Sequence, residues 1–198
     1  MNGAGNSDIR NDLLSFRAEV AQHDGDRPHD HFARIAVTGA IDAGLEGNAA
    51  IGALLANPDG EVVAEERNRM FVPHFRSDFH AEMVLLTGWE ERNKPSADLR
   101  GFTLVTSLEP CEMCMIRIIN SGVSNVLYVA EDLGKGAITG PNKLAPHWAR
   151  LAAPQHFAPA DCDQWLAEVA LAAFAMVIGD VSDRLMARRV PQVGDQDD

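Results

Sequence analysis

Cysteine is scarce in this 198-residue chain, which contains only three. Three cysteines are too few for a disulfide scaffold. Cys111 and Cys114 form the stretch PCEMC, and Cys162 stands far from both. In a cytosolic protein, a C-x-x-C pair is more often metal-binding or redox-active than structural. Cys111 and Cys114 are therefore candidates for metal binding or redox activity.

Positive charge is also in short supply. The chain has 17 Lys and Arg against 29 Asp and Glu, a net charge of −12 at pH 7. Proteins that bind nucleic acid gain much of their affinity by neutralising phosphates with Lys and Arg. The one basic stretch, DRLMARR near the C-terminus, is typical of the last turn of a helix. The composition therefore argues against nucleic acid as a partner.

Long apolar runs and targeting signals are missing too. No apolar run approaches the ~20 residues of a membrane span, and we interpret the alanine-rich stretch within 163–189 as core packing. The N-terminal MNGAGNSDIRNDLLSFR lacks a basic region followed by an apolar one, so it is not a secretory signal. We therefore expect a cytoplasmic protein with no membrane association.

The order of apolar patterns indicates one α/β domain. The first part of the chain shows helical spacing and then a hairpin around Pro58-Asp59-Gly60, and later strands alternate with helices. This order predicts a three-layer α/β/α sandwich with one mixed sheet. The stretch 131–146 is interpreted as a loop, and 163–189 as one long or two shorter helices. The predicted organisation is an N-terminal helical extension (1–26), a domain (27–189) with C-terminal helices, and an acidic disordered tail (190–198).

Two short motifs carry chemistry. His80 and Glu82 begin a predicted helix in FHAEMVLL, and Cys111 and Cys114 begin another in SLEPCEMC. Cysteines at i and i+3 share a helix face, so both thiolates can reach one ion. Two thiolates and one imidazole suit zinc and leave a fourth tetrahedral position for water, which is typical of a catalytic site.

Each motif alone has an ordinary alternative. A carboxylate such as Glu82 suits the first turn of any helix, and a C-x-x-C pair is also compatible with a redox pair or half of a structural zinc site. A structural site would need a fourth ligand nearby, and the other histidines and Cys162 fall outside ligand spacing. The combination H-A-E followed by P-C-x-x-C matches the zinc-deaminase signature.

Three stretches carry a resemblance to a known family: IGALLANPDGEVVAEERN, FHAEMVLL and TSLEPCEMCMIRIINSGVSNVLYVAED. With these stretches the sequence resembles the cytidine deaminase-like superfamily, in the branch of guanine, cytosine and tRNA adenosine deaminases. The resemblance runs from about His29 to Lys135. It implies zinc (Zn²⁺) bound by His80, Cys111 and Cys114, with Glu82 moving protons.

The resemblance also implies substrate contacts. Asn68 occupies the place of an asparagine that commonly holds the base, and backbone N–H groups around Ala81 and Cys111 would bind the substrate or water. Phe75 and Trp148 are our candidates for stacking on a flat base, and Glu109 is a candidate support for the zinc loop. The chain departs from the family at Ala50-Ile51, where Pro-Phe is usual, and in a longer loop before His80.

These observations predict a zinc-dependent aminohydrolase that acts on a free nucleobase, nucleoside or related small amino-heterocycle. TSLEPC resembles the guanine branch, so a guanine-like base is the first candidate. The alternatives are adenosine editing in tRNA by the same chemistry and a non-catalytic zinc scaffold. Relatives generally associate, so the resemblance also implies a homodimer.

Overall fold

The structure is a computed structural model that describes residues 3–132, 136–138 and 144–189, with side chains from residue 7 onward. Eleven elements follow one another along these residues: α1 (Gly3–Gln22), α2 (Asp30–Leu45), β1 (Gly52–Ala56), β2 (Val62–Arg67), α3 (Ala81–Arg92), β3 (Thr103–Leu108), α4 (Glu112–Ser121), β4 (Asn125–Ala130), α5 (Pro146–Ala152), β5 (His156–Pro159) and α6 (Gln164–Ala187).

One five-stranded sheet, in the order β2-β1-β3-β4-β5, forms the middle layer. β1 is antiparallel to β2 and β3, while β3, β4 and β5 are parallel. Neighbouring residues of a strand point to opposite faces, so Leu54 joins the core beneath α2 and α6 and Leu55 joins the core beneath α3 and α4. The three-layer sandwich with one mixed sheet is confirmed.

Gly52 explains how closely α2 approaches the sheet. A Cβ on this residue would lie 2.3 Å from the carbonyl oxygen of Ala36 and 2.6 Å from the backbone nitrogen of Ala40. Only glycine permits that approach, so any larger residue at position 52 would push α2 away from β1.

The predicted N-terminal helical extension forms one helix, α1, which spans 20 residues. Leu13 and Val20 are buried in the core formed with α2 and α6, and Arg17 Nε lies 2.6 Å from Asp42 Oδ1. α1 therefore packs as part of the fold, although the boundary at residue 26 stays a prediction.

α6 is one helix of 24 residues. By length and composition α6 could cross a membrane, so the expectation that no apolar run approaches a membrane span is wrong for this helix. Core helices of soluble proteins have the same length and composition. One stripe along the helix is buried in the domain core: Leu166, Val169, Ala170, Ala173, Val177 and Val181.

Two elements near the C-terminus were not predicted from the sequence. β5 has only four residues, HFAP, and pairs with β4 at the edge of the sheet. A strand this short that ends in proline has no alternating pattern to identify it. α5 has only seven residues and none of them is fully buried, so its sequence is too short to show a helical pattern. The predicted acidic tail at 190–198 lies outside the described residues.

Candidate metal centre

Both metal-binding motifs lie at one edge of the sheet. β2, β3 and β4 all end at this edge, and β1 begins there, because Gly52 pairs with Arg67 and Ala53 with Thr106. His80 is the residue before α3, and Cys111 is the residue before α4. Both have extended backbones, at φ −70° and −71°, before their helices start. Two helix N-termini therefore converge on one point.

The three predicted ligands form one cluster. His80 Nδ1 lies 3.6 Å from Cys111 Sγ and 3.5 Å from Cys114 Sγ. Sulfur at ~2.3 Å and nitrogen at ~2.0–2.1 Å from a tetrahedral zinc would lie about 3.6 Å apart. The donor atoms therefore fit zinc. Among the described residues the group has only these three members, so tetrahedral coordination leaves a fourth position for a non-protein ligand.

Glu82 lies against this cluster and is 2% exposed. Its Oε2 is 3.3 Å from Cys114 Sγ. Its Oε1 is 3.3 Å from Thr106 Oγ1, which is also 3.4 Å from the carbonyl oxygen of Gly52. Thr106 is a supporting residue that the sequence analysis missed. The available signal was a hydroxyl residue in β3 that directly precedes the S-x-E-P-C motif.

The pKa values of the two cysteines shift in opposite directions. A hydrogen bond from Cys114, together with His80, lowers the pKa of Cys111 to about 4, although burial opposes this shift. The same contact with Cys111, with burial, raises the pKa of Cys114 well above its ordinary value. Burial raises the pKa of Glu82, which brings the carboxyl group closer to the neutral range where a general base is effective. Cys111 is thus a ready thiolate ligand.

Asn68 follows β2 at the same edge of the sheet and is fully buried. Its Oδ1 accepts a hydrogen bond from the Met70 backbone N–H at 2.9 Å. Its Nδ2 has no hydrogen-bond partner among the described residues. A buried amide without an acceptor costs about 1–3 kcal/mol, so this donor suits a ligand with a hydrogen-bond acceptor. Ala81 is buried as the first residue of α3, where a helix leaves its N–H groups without intrahelical acceptors.

The two candidate stacking residues have different surroundings. Phe75 packs against Phe71, with ring centroids 5.4 Å apart, and the Arg188 guanidinium carbon lies 3.6 Å from the Phe75 centroid. Trp148 packs on a small apolar cluster that contains Met115 and Ala137. Trp148 thus contacts the helix that carries Cys114, whereas Phe75 lies in the loop before His80.

A cavity of about 810 Å³ lies elsewhere, between α1, the end of α2, and α6. Leu13, Asn48 and Arg184 are among its lining residues, and no metal-cluster residue lines it. Because the chemically competent side chains converge at the sheet edge, we place the candidate centre there and not in this cavity.

Comparison with known proteins agrees with this geometry. Residues 26–130 match the family model for the cytidine and deoxycytidylate deaminase zinc-binding region. This stretch is more than half of the chain and contains His80, Glu82, Cys111 and Cys114. The chain belongs to this zinc-binding deaminase family.

Individual relatives differ in what they act on. The chain is 32% identical over 117 residues to a tRNA(Ile)-lysidine synthase of Deinococcus deserti, a match over 58% of this chain and 21% of the relative. It is 36% identical over 107 residues to the tRNA-specific adenosine deaminase of Bacillus subtilis, over 53% of this chain and 63% of that protein. The chain thus spans about a fifth of the first relative and less than two thirds of the second.

Solved structures show the same fold. A structure from a study of A-to-I editing by tRNA:A34 deaminases has a TM-score of 0.52 at 28% identity, and the match covers 65% of this chain and 96% of that one. The guanine deaminase of Nitrosomonas europaea has a TM-score of 0.53 at 20% identity, over 83% of this chain and 92% of that one. At that lower identity the likeness shows the fold alone.

Proposed function

We propose that this protein is a zinc-dependent hydrolytic deaminase that removes the exocyclic amine of a free nucleobase, nucleoside or related small amino-heterocycle and releases ammonia. The observation that carries the proposal is the buried Glu82 carboxylate beside the His80, Cys111 and Cys114 donors. A structural zinc site has no use for a buried proton carrier, whereas a hydrolytic site requires one.

The residues divide the chemistry among themselves. His80, Cys111 and Cys114 would hold zinc, and bound zinc supplies Lewis-acid activation of a water molecule at neutral pH. Glu82 would take one proton from the attacking water and deliver it to the ring nitrogen as the oxygen adds to the amine-bearing carbon. Glu82 would then move the second proton from the added hydroxyl to the departing amine, so that the carbon–nitrogen bond breaks as the carbonyl forms. Water and the amine thus become a carbonyl product and ammonia, and such proton transfer typically contributes ~10²–10⁴-fold.

Asn68 would orient the substrate. Its buried Nδ2 has no acceptor among the described residues, so an acceptor on a bound base would satisfy it. The backbone N–H groups at Ala81 and Cys111 are further donors at the two helix N-termini. Phe75 and Trp148 are proposed to stack on the flat ring.

Charge supports a small substrate. The chain carries a net charge of −12. Both arginines of the loop before His80 are neutralised: Arg69 Nη2 lies 2.8 Å from Glu66, and Arg76 Nη2 lies 2.9 Å from Asp78. A free base carries no phosphates and needs only a few polar groups and a stacking wall. A guanine-like base is the first candidate, because TSLEPC resembles the guanine branch.

The second candidate function is adenosine deamination in tRNA. The relative from Bacillus subtilis and the tRNA:A34 deaminase structure favour it, since both are named for that activity. Phosphate contacts make binding to nucleic acid strongly salt-dependent. Tight, salt-dependent binding of tRNA would therefore support this candidate over the small-molecule proposal.

Ammonia release tests the proposed function. Zinc-loaded protein is offered amino-purines, amino-pyrimidines, their nucleosides and amino-triazines, with chelator-stripped protein as the control. We expect ammonia from at least one compound, and none from the stripped protein until zinc is restored. Zinc-loaded protein that released ammonia from no compound and from no tRNA would instead be a non-catalytic zinc scaffold.

Two further properties are proposals of the same kind. We propose a cytoplasmic location, and we infer a homodimer from the family resemblance. Light scattering at micromolar concentration tests the second, and a monomer would contradict it.

A further inference from the structure

Glu109 is a buried carboxylate two residues before the zinc ligand Cys111, and it is 3% exposed. It does not contact the metal cluster through any hydrogen bond described for its side chain. Its Oε1 accepts from the Ile138 backbone N–H at 2.7 Å, and its Oε2 accepts from the Asp132 backbone N–H at 3.3 Å. Both donors belong to the chain that follows β4, outside the zinc-binding motifs.

Residues 136–138 lie close to the carboxylate. A Cβ on Gly136 would lie 2.0 Å from Glu109 Cδ, so only glycine leaves room for it. The Ala137 backbone N–H donates to the Pro110 carbonyl at 3.0 Å. Residues 136–138 are therefore held directly beside Cys111.

The same residues have an apolar attachment. Ala137 is buried with Met115 and Ile119 of α4, and Ile138 and Trp148 pack against this cluster. Apart from that small cluster, the described side-chain hydrogen bond that ties residues 136–138 to the zinc loop is the one that Glu109 accepts from Ile138.

We propose that Glu109 is a positioning residue that fixes residues 136–138 beside Cys111 as part of the wall of the substrate pocket, and so sets substrate affinity. The inference rests on the proposed deaminase function. When a binding-competent wall is only partly populated, the apparent dissociation constant rises by the inverse of that population. Loosening the wall should therefore raise KM and leave zinc and Glu82 in place.

Steady-state kinetics on the best small substrate test this role. For Glu109→Ala we expect KM to rise about tenfold, the factor expected for one lost hydrogen bond of ordinary strength, with kcat changed much less and one zinc retained per chain. Glu109→Gln keeps one acceptor oxygen and should lie between the wild type and Glu109→Ala. Glu112→Gln, an exposed carboxylate one residue beyond Cys111, is the matched control and should leave KM unchanged.

A double substitution separates positioning from general destabilisation. Gly136→Ala alone should raise KM, because its methyl group displaces the Glu109 carboxylate. In the Glu109→Ala background it should add little, since the displaced group is gone. Amide hydrogen exchange at Ile138 should accelerate in Glu109→Ala and not in Glu112→Gln.

The outcomes are distinguishable. Unchanged KM in Glu109→Ala, a parallel loss of zinc, or additive effects of the two substitutions would each overturn the positioning role. A wild-type protein that is inactive toward every compound would overturn the proposed function and the affinity role with it. The exchange rate at Ile138 would then still decide whether Glu109 holds this segment.

Discussion

The two sides of the candidate site are built differently. On the metal side, His80 and Cys111 lie at the starts of two helices that pack on the central sheet, and Cys114 is fully buried. On the other side, which adjoins α4, α5 buries none of its residues, and residues 136–138 are held by Glu109 and a small apolar cluster. Rigid packing suits catalysis, which depends on fixed geometry. The side held by fewer contacts can change with substrate, so we assign the chemistry to the first side and selectivity to the second.

The largest expected effect is at Glu82. Glu82→Ala should keep zinc and the fold yet lose at least ~10³-fold in kcat, because every proton transfer runs through this carboxylate. Zinc analysis and ammonia release on the same sample measure both properties, with Glu112→Ala as the control. Retained turnover would show that another group is the base, and would refute the assignment of the chemistry to the metal side.

The next effect is loss of the metal. Cys111→Ser or Cys114→Ser should weaken zinc binding more than ~100-fold, beyond what changes in supporting residues usually cost, and lower the melting temperature. Cys162→Ser is the internal control, since burial raises the pKa of this thiol to about 11 and it lies outside the cluster. Undiminished zinc in both of the first two variants would refute the ligand assignment.

Asn68→Ala should have an intermediate effect. Loss of the buried Nδ2 donor should cost about 1–3 kcal/mol in kcat/KM, mainly through substrate binding. Asn57→Ala is a matched control, because Asn57 shapes the turn of the same hairpin through its side-chain oxygen. Asn57→Ala should change stability only, and kinetics unchanged in Asn68→Ala would remove Asn68 from the pocket.

The sequence predicted these two sides unequally. His80, Glu82, Cys111 and Cys114 were predicted because the chemistry of the site demands particular residues at fixed spacings. β5 and α5 were not predicted, since elements of four and seven residues are too short to show a periodic pattern. Thr106 acts only through its contact with Glu82, which requires the sheet to form.

A smaller effect is expected at the stacking candidates. Trp148→Ala should raise KM by at most about tenfold, because an aromatic contact is worth ~0.5–1.5 kcal/mol, and Trp148→Phe should restore much of the loss. Phe75→Ala should act similarly if the loop before His80 forms the opposite wall. Unchanged KM in both alanine variants would show that neither ring contacts the substrate.

The smallest effect concerns an exposed ion pair away from the metal cluster. Hydrogen bonds from Arg100 lower the pKa of Asp98 to about 2. Its contribution to stability is therefore present above the ordinary carboxyl pKa and is lost as pH falls from about 4 to about 2. Asp98→Asn should reduce the acid sensitivity of unfolding slightly and leave activity unchanged. A change in KM would show that this surface reaches the site.

Ammonia release from a small compound and from a tRNA anticodon stem-loop, compared at low and physiological salt, tests the central claim most directly. With a net charge of −12, the protein should repel a polyanion over a Debye length of ~8 Å at physiological salt. We expect turnover of at least one free base or nucleoside, at a rate insensitive to salt, and weak binding of the stem-loop. Efficient deamination of the stem-loop with every small compound inert would contradict the account and assign the protein to tRNA editing.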